Sequence, residues 1–67
     1  MKISARNVLK GKITAIVKGA TTAHVKIDIG GAIVTSSITN AAVDDLKLEV
    51  GKTAYAVVKA SDVMVGI

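Results

Sequence analysis

Sixty-seven residues with nine Lys or Arg against five Asp or Glu, a net charge of +4 and no cysteine make one small basic domain spanning residues 1–67. Disulfides and thiolate metal sites are excluded, and the single histidine, His24, cannot assemble a zinc centre alone. Chains of this size bury only about 60% of the surface their unfolded form exposes. Yet 51% of the residues are hydrophobic, dominated by Ala, Val and Ile, so a second buried surface between subunits is expected.

The chain opens on a compact donor cluster, Ser4, Arg6 and Asn7, between apolar residues and with no acid beside it. The first alternating segment follows from Lys12 to Lys18, with Ile13, Ala15 and Val17 on one face; Ile16 interrupts the other face, as in a strand covered on both sides. Gly19 marks a turn. The alternation of Ala23, Val25, Ile27 and Ile29 with His24, Lys26 and Asp28 is the cleanest strand pattern in the chain. Gly30-Gly31 then supplies the positive-φ pair of a tight hairpin, and a third strand runs from Ala32 to about Ile38. Asn40 is the expected N-cap of a short helix over Ala41 to Leu46, with Asp44 and Asp45 near its positive end. Gly51 turns the chain into a fourth strand, Thr53 to Lys59. A break at Ala60-Ser61 leads to a fifth, Val63 to Val65. Five strands with one short helix between the third and fourth predict an all-β Greek-key barrel of OB type.

The longest charge-free run, Ile29 to Val43, is interrupted by Thr35, Ser36, Ser37, Thr39 and Asn40 and falls short of the roughly 18 apolar residues of a membrane span. A cytoplasmic protein without a membrane partner is therefore expected. Six cations, from Lys2 to Lys26, precede the first acid, Asp28, which calls for an anionic partner. Nucleic acid is one candidate, through an OB-type binding module. With Tyr55 as the only aromatic residue, however, the chain lacks the faces on which single strands stack. A small inorganic anion needs no stacking.

Catalytic constellations are thin. His24 is the only imidazole, the two adjacent acids are accounted for by a helix start, and neither GxxxxGK[ST] nor GxGxxG occurs. A non-enzymatic role is expected. Two clusters remain, "SARN" at the start and "VVKASDV" near the end. Each joins a cation, a hydroxyl and a small residue at a strand break. Hydroxyls, guanidinium and closely approaching backbone amides suit a tetrahedral oxyanion.

Three stretches, "ISARNVLKGKI", "SSITNAAVDDLKLEVGK" and "AYAVVKASDVMV", together resemble the molbindin (Mop) family of small molybdate- and tungstate-binding proteins, over Ile3 to about Val65. The resemblance implies an OB-like barrel that assembles into a homo-hexamer, a trimer of dimers, with molybdate or tungstate as bound oxyanion rather than catalytic cofactor. It implies that Ser4, Ala5 and Arg6 of one subunit meet Lys59, Ala60 and Ser61 of a neighbour, with Thr39 adding a hydroxyl. Asn7 belongs to the motif as a brace. A second oxyanion site near the three-fold axis falls on the turn Gly19, Ala20, Thr21 and Thr22, with His24 at its edge. Intracellular molybdenum storage or homeostasis is the role this implies.

Overall fold

In the computed structural model, which describes all 67 residues, the cleanest alternation becomes β2 (Thr22–Asp28). Ala23, Val25 and Ile27 are buried while His24, Lys26 and Asp28 face out. Gly30 and Gly31 take φ of 95° and 98°, and the Gly30 amide donates to Asp28 Oδ1 at 2.9 Å. That turn delivers β3 (Ile33–Thr39), antiparallel to β2. Two positive-φ residues match the twist of the strands they join, and glycine adopts them without a Cβ clash.

The longest strand is β1 (Asn7–Lys18), which begins well before the first clean alternation in the sequence. Its first half pairs with β4 (Thr53–Val58) and its second half with β2, both antiparallel, so the sheet order is β3-β2-β1-β4. Gly11 sits where β1 changes partners. A Cβ there would lie 2.3 Å from the Asp28 carbonyl oxygen and 2.8 Å from Ile27 Cγ2, so only glycine lets the strands approach this closely.

A bulge between Ile13 and Ala15 overturns the face expected for the rest of β1. The extra residue shifts the period-two alternation by one. Ile13 lies opposite Ile27 and Ile16 opposite Val25, both inward, whereas Val17 pairs with His24 on the outer face and is 64% exposed. Ile16 is thus a core-packing residue rather than a sign of a strand covered on both sides. Lys18, opposite Ala23, ends up on the inner side, where it reaches the helix.

The helix α1 (Asn40–Asp45) sits between β3 and β4 in the chain and buries Val43 against Ile13, Val25, Ile27 and Ala56. Its cap is Thr39, not Asn40: Thr39 Oγ1 accepts from the Ala42 amide at 3.0 Å. Asp44 and Asp45 fall at the C-terminal end of this six-residue helix, so the macrodipole does not explain them. Asp44 instead pairs with Lys18 Nζ at 2.6 Å. Beyond the helix, the Leu48 amide donates to the Val43 carbonyl and the Lys47 amide to the Asp44 carbonyl, each at 3.0 Å, with Lys47 at φ 52°. This is a Schellman ending in which a lysine occupies the position glycine usually takes.

The expected fifth strand is missing. After β4, residues Ala60–Asp62 form a single 3-10 turn, and Val63 to Ile67 pair with nothing in the chain. A strand forms where its backbone finds a ladder partner, and the tail finds none within the chain. The result is a curled four-stranded antiparallel sheet with one helix, whose two edge strands, β3 and β4, are not hydrogen-bonded to each other. No helix is long and apolar enough to cross a membrane.

Candidate functional site

The two motif clusters meet at one end of the β1–β4 pair. Asn7 is in register with Val58, so Ser4–Arg6 leads into β1 at the end where Lys59–Ser61 leaves β4 on the neighbouring strand. Asn7 braces the junction by donating from Nδ2 to the Val58 carbonyl at 3.2 Å. Ala5 is buried and anchors the segment, while Ser4, Arg6, Lys59, Ala60 and Ser61 are all exposed.

The donors at this end are unused. Neither Arg6 nor Lys59 forms an ion pair, and Asp62, next to Ser61, pairs with neither of them. The hydroxyls of Ser4 and Ser61 make no hydrogen bond within the chain, nor do the amides of Ala60 and Ser61. Two cations, two hydroxyls and free amides, with no carboxylate engaged among them, make a set complementary to a small multivalent anion.

Thr39 is not part of this cluster. It pairs with Thr22 at the far end of β1, beside the turn after Lys18. Its hydroxyl oxygen already accepts from the Ala42 amide, which leaves its proton free to donate. The turn itself is tightly tied: the Gly19 amide donates to the Thr22 carbonyl at 2.7 Å, the Asn40 amide to the Thr21 carbonyl at 2.9 Å, and Asn40 Nδ2 to the Gly19 carbonyl at 3.0 Å. Asn40 Oδ1 is enclosed without a partner.

A shallow cavity of about 250 Å³ lies here, lined by Val17, Lys18, Gly19, Thr22 and His24. Of the residues expected from the sequence, Gly19 and Thr22 line it, with His24 beside them; Ala20 and Thr21 do not. The sequence reading missed Lys18 and the bracing role of Asn40. The bulge that turns Lys18 inward carries no composition signal, whereas an Asn directly after a capping Thr is a visible pattern. Nowhere in the chain do three His, Asp or Glu side chains gather into a cation site.

Comparison with known proteins converges on one group. The TOBE domain profile matches residues 3–65. A probable molybdenum-pterin-binding protein of Haemophilus influenzae is 57% identical over 68 residues, covering 100% of this chain and 99% of that one. A molybdate-binding protein of Sporomusa ovata superposes with a TM-score of 0.94 at 39% identity, covering 100% of both chains. The cytoplasmic molybdate-binding protein ModG, solved with molybdate bound, gives a TM-score of 0.90 at 42% identity over 96% of this chain and 46% of its own.

Proposed function

The chain belongs to the TOBE domain family, among its small molybdenum-pterin-binding (Mop) members, and from that premise we propose that it binds molybdate or tungstate as a non-covalently held dianion. The observation that carries this reading is the end of the β1–β4 pair, where Arg6 and Lys59 stand together with no carboxylate partner and with Ser4, Ser61 and the Ala60 and Ser61 amides free. The two cations offset the charge, and hydroxyls and amides fix the tetrahedral shape. Each charge-assisted hydrogen bond contributes roughly 1.5–3 kcal/mol. No bond in the ligand changes, so the protein is a binder and not an enzyme.

The site is completed between subunits of a homo-oligomer, a hexamer built as a trimer of dimers. Ser4, Ala5 and Arg6 of one subunit are joined by Lys59, Ala60 and Ser61 of a neighbour, an arrangement in which the same end of a second copy comes against this one. Thr39, at the far end of β1 in its own chain, donates its hydroxyl into the site of another subunit. The exposed apolar residues Ile3, Val8 and Leu9 beside the motif support burial of this end against a neighbour. A second oxyanion is held at the Gly19–Thr22 turn, where the Lys18 and His24 cavity lies. The role is storage or buffering of the oxyanion in the cytoplasm.

Calorimetric titration with molybdate, repeated in a large excess of sulfate and with the mass in solution recorded alongside, tests the reading. Tight binding that survives sulfate on an assembled protein is expected. No heat with any oxyanion, together with oligonucleotide binding that falls steeply with salt, would replace it with an OB-type nucleic-acid module.

A further inference from the structure

The cavity beside the Gly19–Thr22 turn is lined by two basic residues, and the fold uses them differently. Lys18 lies opposite Ala23, on the inner side of the sheet, and its Nζ is 2.6 Å from Asp44 Oδ1 on α1. Its charge is therefore turned toward the helix and balanced there. His24 lies opposite Val17 and Ser37 on the outer face, in the same period-two set as Thr22. Both His24 and Thr22 line the cavity of about 250 Å³, and both are exposed. Neither side chain makes a hydrogen bond within the chain.

The surroundings of the ring leave it free for a ligand. Its two cross-strand neighbours, Val17 on β1 and Ser37 on β3, carry no charge. Along β2 the same face continues with Lys26 and then Asp28, whose carboxylate already accepts from the Gly30 amide and which has Lys12 opposite it on β1. Of the two acids on α1, Asp44 is held by Lys18, and Asp45 makes no ion pair. No carboxylate is therefore placed to neutralise an imidazolium here. A neutral imidazole offers one donor and one acceptor, and the acceptor repels an oxyanion; the imidazolium offers two donors and a charge.

We propose that the second oxyanion site is charged by protonation of His24, so that it fills as the pH falls and empties as the pH rises through the range in which an imidazole exchanges its proton. The sign follows from linkage. A dianion binds the imidazolium more tightly than the neutral ring, so bound anion and bound proton favour each other. The first site has no such dependence, because its cations are a guanidinium and an ammonium, groups that hold their charge throughout this range. One chain thus combines a constant oxyanion site with a proton-controlled one, which takes up anion on acidification and releases it on return to alkaline conditions.

The inference rests on the second site proposed above, and the test keeps the two apart. Calorimetric titration of the wild-type protein with molybdate is made at about pH 6 and about pH 8. The first class of site is expected to keep its affinity, and the second to bind at least about fivefold more tightly at the lower pH. His24→Gln, which keeps a polar side chain without the charge, is expected to abolish that change. His24→Lys should fix the tighter binding at both pH values. Because His24 is the only histidine, its ring-proton resonance reads the other half of the coupling without ambiguity. Its titration midpoint should move up by about 0.7 of a pH unit or more when molybdate saturates the protein, a change that a histidine with a structural role alone would not show. Second-site affinity equal at both pH values, a pH dependence that survives His24→Gln, or a midpoint unmoved by molybdate overturns the inference while leaving the second site in place. A first class that fills normally with no second class at either pH, in the wild type and in His24→Lys, overturns both. No binding at all removes the oxyanion reading on which both stand.

Discussion

The two ends of β1 are built from similar residue types and behave in opposite ways. At the Lys18 end, the backbone of Gly19, Thr21, Thr22 and Asn40 and the Asn40 Nδ2 group are tied to one another, Thr39 accepts from the Ala42 amide, and Lys18 is neutralised by Asp44. At the Asn7 end, the side chains of Arg6, Lys59, Ser4 and Ser61 bond to nothing in the chain, and only that of Asn7 is engaged. A lysine and a hydroxyl at a strand end therefore do not mark a ligand site by themselves. What separates the two ends is whether the cations are already paired, and that depends on elements distant in sequence. The second oxyanion site proposed at the Lys18 end must work with a lysine already held by Asp44, and is expected to bind more weakly than the first.

Substitutions can break this contrast. The largest effect is expected at Gly11, which links the two halves of β1. Gly11→Ala forces a methyl into the Asp28 carbonyl and should cost about 3 kcal/mol, toward the upper end for overpacking, read as a lowered denaturant midpoint with both ends disrupted. Next is Arg6→Ala, which should weaken molybdate binding about tenfold or more with the melting temperature of the ligand-free protein unchanged. An equal loss from Lys18→Ala would erase the distinction between the ends. Thr39→Ala removes the cap of α1 and should destabilise by about 1 kcal/mol, a thermal shift visible without ligand. The smallest effect belongs to Lys18→Ala as a stability variant: its ion pair with Asp44 is 46% and 65% exposed, so the loss should stay within about 0.5 kcal/mol and shrink with salt.

Much of the fold is legible because it is local. The alternation from Ala23 to Ile29 and the Gly30-Gly31 pair specify a hairpin without reference to anything else in the chain. Ile16 and Val17 were misread because a bulge is set by the partner strand. Nothing in β1 alone says that Thr14 is the extra residue. Asn40 and Thr39 are equally good caps by composition, and the choice falls to Thr39 because Asn40 is drawn to Gly19 and Thr21. Asp44 and Asp45 suggested a helix start, whereas the counter-charge for Asp44 comes from Lys18, far away in sequence. Val63 to Val65 carries a strand pattern, but a strand also needs a ladder partner, and the pattern alone does not supply one. For the site, the pairing of "SARN" with "KAS" is visible as motif, but their adjacency is a matter of strand register, Asn7 against Val58.

Tyr55 carries a practical consequence. It is the only aromatic residue in the chain, it lines two grooves between the edge strands β3 and β4, and it is 49% exposed. The near-ultraviolet absorption and emission of this protein therefore come from one chromophore on the β3–β4 side of the sheet. Its emission follows unfolding of that side of the sheet without any label. Quenching by iodide would report how open the Tyr55 grooves are in solution, and the same cuvette titrated with molybdate would show whether filling the far end of β4 is felt there.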